Sequence, residues 1–212
     1  MSRIIAGEKK GLKLEAPRGE ATRPTGDRVK EAIFSILQTE LREASFLDLF
    51  GGSGQIGLEA ASRGASQVWI VEKDRQAAEI IRQNIRKCGF EKRVKLIQAP
   101  ASAALSRLWK AGELMDIIYF DPPWKEEARF FFQLRDSLLQ LMHEHSRLLL
   151  EADESAEKEL SSLTSPALNL LRTCHYGRAM VLFYGKTGKK EGFPLPSGTG
   201  NNRVSLDLSG KF

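Results

Sequence analysis

From Asp27 onward, apolar positions Val29, Ile33, Ile36, Leu37 and Leu41 recur at the spacing of one helical face, which predicts a helix over 27–42 with Thr25 or Asp27 as its N-cap. Beyond it, short apolar runs alternate with helical patterns. Strands are predicted near 46–50, 67–72, 94–98, 115–120 and 147–151, and helices near 54–64, 75–88, 101–110, 126–143 and 154–163. Strands separated by helices form βαβ units and therefore a parallel sheet. The last two β-like runs, 168–176 and 179–184, are joined only by Gly177 and Arg178. A link that short permits only antiparallel pairing. The pattern thus predicts an α/β, Rossmann-like fold: a seven-stranded, mostly parallel sheet ending in an antiparallel hairpin.

The ends of the chain read differently. Apolar segments at 3–6 and 12–14 flank the turn-forming stretch from Gly7 to Gly11 and predict a small N-terminal hairpin. From Gly185 the chain is rich in Gly, Pro and Ser, and a strand-like run returns only at Val204 to Leu208. The expected organisation is a basic extension over 1–26, one domain over 27–185 and a basic, flexible tail over 186–212.

Composition narrows the class. A chain of 212 residues, 42% hydrophobic, can bury one substantial core. Its net charge of +5 is concentrated at the ends: residues 1–30 hold eight Lys or Arg against four acidic residues, and 186–212 hold five against two. Basic ends on a near-neutral centre suit a polyanionic partner, because Lys and Arg beside phosphates release counterions. Cys88 and Cys174 stand alone with no CxxC and no secretory leader, which points to inert thiols in a reducing cytoplasm. No apolar run approaches the ~20 residues that span a bilayer, so no membrane is expected. His143 and His145 flank Glu144 without metal-ligand spacing and His175 lies in a predicted strand, so no metal site is expected.

Two strand ends carry the chemistry. After the first predicted strand comes Asp48-Leu49-Phe50-Gly51-Gly52-Ser53-Gly54-Gln55-Ile56-Gly57, which contains the G-x-G-x-x-G spacing of a nucleoside-binding turn. Glu72 ends the next strand, where a carboxylate can accept hydrogen bonds from both hydroxyls of a ribose. This much admits a dinucleotide as readily as S-adenosylmethionine. Asp48 favours the methyl donor, since it can pair with the ammonium of a methionine moiety and would repel a pyrophosphate. The antiparallel final hairpin points the same way, because dinucleotide dehydrogenases usually keep a parallel sheet.

The second strand end is Asp121-Pro122-Pro123-Trp124, after the buried-strand pattern Met115 to Phe120. An exocyclic amine on a nucleobase is a poor nucleophile because its lone pair is conjugated into the ring. Acceptors aimed at its N–H groups favour the rehybridisation that attack on a methyl group requires. The Asp121 carboxylate and the Pro122 carbonyl can be those acceptors, held by two imide residues, and Asp121 can assist proton loss. Trp124 offers a flat face on which a base can stack, an interaction worth about 1–3 kcal/mol.

Taken together these residues resemble the RsmD family of bacterial methyltransferases that modify guanine N2 in small-subunit (16S) ribosomal RNA. The resemblance rests on Arg3-Ile4-Ile5-Ala6-Gly7, Thr22 to Glu31, Leu47 to Gly64, Val71-Glu72-Lys73-Asp74 and Asp121 to Trp124, and covers most of residues 3–185. It implies S-adenosylmethionine as cofactor and ribosomal RNA or the small subunit as partner; a monomer is expected. It also implies that the Arg23 to Glu31 segment closes over the methionine end of the cofactor. Thr25 and Lys73 thereby join Asp48, Phe50, Gly51, Gly52, Ser53, Gly54 and Glu72 as cofactor candidates, while Arg3, Arg23 and Arg28 become RNA candidates, with Asp27 open to either role. Relatives usually carry an acidic or polar residue after the third strand; here the stretch is Gln98-Ala99-Pro100-Ala101-Ser102, so adenine contacts from Pro100 and Ala101 are expected to be backbone or apolar. Two other readings stay open: an adenine-N6 or cytosine-N4 methyltransferase, which would share the Asp-Pro-Pro-aromatic motif, and a non-catalytic RNA-binding module of ribosome assembly.

Overall fold

The structure is a computed structural model and describes residues 2–16, 26–162, 166–187 and 203–205. Strands β1 (Ser2–Arg3) and β2 (Lys13–Leu14) form an antiparallel hairpin. Then follow α1 (Asp27–Ile36), β3 (Ser45–Asp48), α2 (Gln55–Ser62), β4 (Gln67–Glu72), α3 (Arg75–Cys88), β5 (Val94–Gln98), α4 (Ala101–Lys110), β6 (Met115–Phe120), α5 (Glu127–Gln140), β7 (Met142–Asp153), α6 (Glu157–Ser162), β8 (Leu168–Tyr176), β9 (Ala179–Lys186) and β10 (Arg203–Ser205). The main sheet has the order β10-β8-β9-β7-β6-β3-β4-β5. Strands β3 to β7 run parallel, and β9 is antiparallel to both β7 and β8, as the two-residue link at Gly177 and Arg178 requires. The short β10 adds to the edge beside β8, in parallel, which makes eight strands where the pattern predicts seven.

Alternation along each strand divides the core between two faces. Phe46, Val68, Ile70, Ile117, Tyr119 and Leu149 face α1, α2 and α3, and the N-terminal hairpin contributes Ile4 and Leu14 to this layer. Leu47, Val71, Ile118, Phe120 and Leu150 face α4, α5 and α6. Among the described residues no helix is long and apolar enough to cross a membrane.

Some boundaries differ from expectation. Helix α1 ends at Ile36 rather than near 42, because the chain turns from Leu37 to Glu40; Leu37 and Leu41 are buried from that turn instead of from a helical face. Asp27 is not the cap of this helix but its first residue, and Gly26 caps without a side-chain bond. Its carboxylate faces Arg3 Nε at 3.1 Å and Lys30 Nζ at 3.8 Å. Helix α5 stops at Gln140, and β7 takes over His143, starting five residues before the predicted strand.

The hairpin is clamped to α2 by buried polar groups. Glu59, fully buried, accepts the backbone N–H groups of Ile5 at 2.7 Å and Ala6 at 3.0 Å and pairs with Arg63 at 2.7 Å. Lys30, also fully buried, donates to the Arg3 carbonyl at 2.6 Å and lies 3.9 Å from Glu59. Burial pushes the Lys30 ammonium down, against the pull of Glu59 and Asp27. Gly7 is forced by the same contact: its φ is +83°, and a Cβ there would stand 1.8 Å from the Ser62 carbonyl oxygen.

Removing Glu59 would strand two N–H groups and take a carboxylate from the buried Lys30 ammonium. Glu59→Ala is expected to cost roughly 3–5 kcal/mol, read as a lower denaturant midpoint at unchanged slope.

Candidate functional site

Strand β3 is the point at which the sheet order reverses: β4 and β5 lie on one side, β6 and β7 on the other. In open α/β sheets the crevice for ligands forms there, beyond the carboxyl ends of the strands. Asp48 is in register with Ile70 on β4 and Tyr119 on β6. Past Asp48, the Leu49 N–H still bonds the Tyr119 carbonyl at 3.0 Å, and the Gly51 N–H bonds the Val71 carbonyl at 2.8 Å. The turn at Gly51 to Gly54 and the turn at Asp121 to Trp124 therefore leave neighbouring strands at the same edge.

The glycine turn is shaped from below. A Cβ on Gly51 would come within 2.4 Å of Ile70 Cγ2, and one on Gly57 within 2.6 Å of Ile70 Cγ1, so both glycines admit close packing of the turn and α2 on β4. Gly52 has φ +56° and nothing within 4 Å of where its Cβ would stand; the turn is open on that side. Gly54, at φ +78°, caps α2 without a side-chain bond. Asp48 supplies the missing cap: its Oδ2 accepts the Gly57 N–H at 3.0 Å from beneath. Asp48 is 1% exposed, and burial, with a further push from Glu72, raises its carboxyl to about 7 against the bond from Gly57.

Glu72 closes the rim. Its Oε2 accepts the Gly52 N–H at 2.9 Å and its Oε1 the Asp74 N–H at 2.8 Å, which fixes the carboxylate beside the open side of the turn. Lys73 is exposed at the same strand end. Phe50 packs edge-on against Phe120 and Phe130, with centroids 5.2 and 5.5 Å apart, and so joins the two turns. Ser53 is held through its carbonyl, which accepts from Asn84 Nδ2 at 3.0 Å. Exposed Pro100 caps α4 and half-buried Ala101 is its first residue, packed toward the core of that layer.

In the second turn Asp121 and Trp124 are half-buried, Pro122 is buried and Pro123 exposed. The turn is closed by the Glu126 N–H on the Pro123 carbonyl at 3.1 Å, and Lys125 takes a left-handed φ of +68°. A non-glycine residue held there costs on the order of 1 kcal/mol, which marks a turn fixed by its surroundings. Burial first, then Glu151, Asp48 and Glu127, hold the Asp121 carboxyl well above the usual range.

The structure thus brings Asp48, Phe50 to Gly54, Glu72 and Asp121 to Trp124 to one crevice. Arg3 and Arg28 are exposed on the N-terminal side, Arg3 paired with Asp27; Arg23 and Thr25 lie outside the described residues. The histidines are elsewhere: His143 Nε2 meets Asp116 Oδ1 at 2.9 Å in a cleft of about 280 Å³ lined also by Glu40, Glu43 and His145, and His175 lies on β8. Among the described residues no three His, Cys, Asp or Glu side chains are arranged to hold a metal ion. Sequence reasoning passed over Asn84, Glu127 and Glu151. Two of them carried a signal, for Asn84 interrupts the apolar stripe Ala77, Ala78, Ile81, Ile85, Cys88, and Glu151 follows three leucines at a strand end.

Residues 2–185 match the family model described as Conserved hypothetical protein 95. Ribosomal RNA small subunit methyltransferase D of Escherichia coli strain K12 is 33% identical over 162 residues, 76% of each chain. The protein of the same name from Haemophilus influenzae is 35% identical over 148 residues, 69% of this chain and 72% of its own. Among solved structures, the hypothetical protein TTHA0928 of Thermus thermophilus superposes with a TM-score of 0.71 at 28% identity, over 86% of this chain and 98% of its own.

Asp48 gives a testable sign. Its carboxyl is raised on folding, so the stability that Asp48 contributes is full below its unfolded value near 4 and is lost as pH rises to about 7. Asp48→Asn, which keeps an acceptor for Gly57, is expected to gain on the natural chain by up to about 4 kcal/mol between those limits, checked by urea denaturation at both.

Proposed function

The chain belongs to the RsmD family, and from that membership and the crevice we propose that it is an S-adenosylmethionine-dependent methyltransferase acting on the exocyclic N2 of a guanine in small-subunit (16S) ribosomal RNA. The observation that carries this is the β3–β6 register, which sets the glycine turn beside Asp121-Pro122-Pro123-Trp124.

The residues at the first turn fit the cofactor. Open space at Gly52 would admit a ligand against the backbone, and Glu72, fixed by two amides, would accept ribose hydroxyls. Asp48, whose buried charge lacks a cation among the contacts above, suits an ammonium beneath the turn. Thr25, Ser53, Gly54 and Lys73 complete the proposed cofactor set, with Phe50, Pro100 and Ala101 on the apolar side of the base. S-adenosylmethionine would supply there a sulfonium-activated methyl group that an amine nitrogen takes with its lone pair, the carbon–sulfur electron pair staying on sulfur.

The second turn handles the amine. Asp121 and the Pro122 carbonyl accept its two hydrogens, which draws the lone pair out of conjugation, and Trp124 stacks on the base. The surplus proton passes to Asp121, whose surroundings favour its protonated form. A guanine within a paired or stacked region must be extruded to reach this turn. Arg3, Arg23 and Arg28 are proposed phosphate contacts, so binding should weaken with salt.

Asp121→Ala is expected to lower methyl transfer by at least about 100-fold while calorimetric affinity for S-adenosylmethionine is retained. Transfer at the natural rate would remove Asp121 from the mechanism. Digestion of the product should release N2-methylguanosine; N6-methyladenosine or N4-methylcytidine would establish the rival methyltransferase. RNA binding with no heat from S-adenosylmethionine would establish the non-catalytic module.

A further inference from the structure

The strands around the crevice end on carboxylates: Asp48 on β3, Glu72 on β4, Asp121 just past β6 and Glu151 within β7. The first three have a part in the reaction proposed above, and Glu151 has none. It is nonetheless buried, and in a costly place for a charge. The β6–β7 ladder pairs Phe120 with Leu150, so Asp121 and Glu151 are the next residues along two hydrogen-bonded strands. Tyr119, two residues before Asp121 and fully buried, donates its hydroxyl to Glu151 Oε2. A donated hydroxyl favours the ionised carboxylate and fixes its direction.

We propose that Glu151, oriented by the Tyr119 hydroxyl, is a positioning residue that strengthens Asp121 as the acceptor of the hydrogens on the substrate amine. This rests on the reading of Asp121 as that acceptor. When nitrogen gains the methyl carbon it carries one proton too many. The N–H bond breaks, its electron pair stays on nitrogen, and the proton passes to the Asp121 carboxylate. A negative neighbour one residue past the last paired position of the ladder makes that carboxylate a stronger base and holds the proton once it has arrived.

The charged groups acting on Asp121 among the described residues are Glu151 from β7, Asp48 from β3 and Glu127 from α5. After burial, Glu151 is the largest influence on the Asp121 carboxyl. The other two carboxylates are engaged by backbone: Asp48 by the Gly57 N–H and Glu127 by the Asp153 N–H at 3.4 Å. Glu151 alone of the three is engaged by a side chain of the strand that bears Asp121.

The test is single-turnover methyl transfer by the full chain, from labelled S-adenosylmethionine to small-subunit particles that lack the modification, followed across pH. The transfer rate should rise with pH as Asp121 ionises. In Glu151→Gln that rise is expected to move to lower pH by about one unit and the plateau to fall by about tenfold, with calorimetric affinity for S-adenosylmethionine within about twofold. Tyr119→Phe should move the rise the same way by less, and it decides the matter if Glu151→Gln does not fold. An active natural chain with the rise unmoved in the folded variants overturns this inference and leaves the proposed function standing. A natural chain that transfers no methyl group to RNA overturns both.

Discussion

The hydrogen-bonded register of β3 between β4 and β6 is the constraint on which the rest depends. Parallel ladders fix neighbouring strands residue against residue, and here they place Asp48 level with both Ile70 and Tyr119. A shift of one residue would turn Asp48 from the α2 side of the sheet, where it meets the Gly57 N–H, toward the layer of Leu47 and Phe120. The buried alternation prevents that slip, since each of these strands is apolar on both faces and packed on both. The placement of the two turns is thus a consequence of core packing and needs no contact between the turns themselves. Phe50, wedged against Phe120 and Phe130, adds one such contact.

A second layer of constraint comes from the N-terminal hairpin, which braces the glycine turn rather than hanging from the domain. Ser2 Oγ donates to Gln55 Oε1 at 2.7 Å, at the first residue of α2. Asn84 exchanges two hydrogen bonds with the Glu15 backbone, both at 2.9 Å, and with its remaining proton holds the Ser53 carbonyl. Glu59 and Lys30 tie the same hairpin to α2 and α1. Buried polar groups satisfied this fully fix one arrangement where apolar packing alone would tolerate several. The glycine turn is therefore held in one arrangement by contacts of the fold itself.

Legibility in the sequence followed the range of the interaction. Strands such as Gln67–Glu72 and Met115–Phe120 and helices such as Arg75–Cys88 end where local signals end them: Asp74 caps α3 through the Ala77 N–H, and Gly89 closes it in a left-handed conformation. The two motif turns were legible because glycine and proline carry backbone geometry in their chemistry. Helix α1 was read too long because Leu37 and Leu41 keep helical spacing although tertiary packing, not a helix, buries them. Lys30, Glu59 and Asn84 were passed over for a different reason. Their partners in the N-terminal segment lie 27 to 69 residues away, and a buried lysine reads locally like an exposed one.

Charge gives these elements a common logic. Asp48 and Asp121 are brought together at strand ends beside Glu151, and burial and neighbouring carboxylates both disfavour the ionised forms of the two aspartates. Apolar residues of similar size would stabilise the fold more, so the cluster sits against the direction of stability alone. In the proposed reaction a cationic ligand would reverse the balance: a positive charge beside Asp48 and a partially positive amine beside Asp121 would convert repulsion into attraction. The cluster is then strained without its ligands and relaxed with them. Binding free energy is drawn from relieving that repulsion, and it is greatest for ligands that are positive where the carboxylates converge.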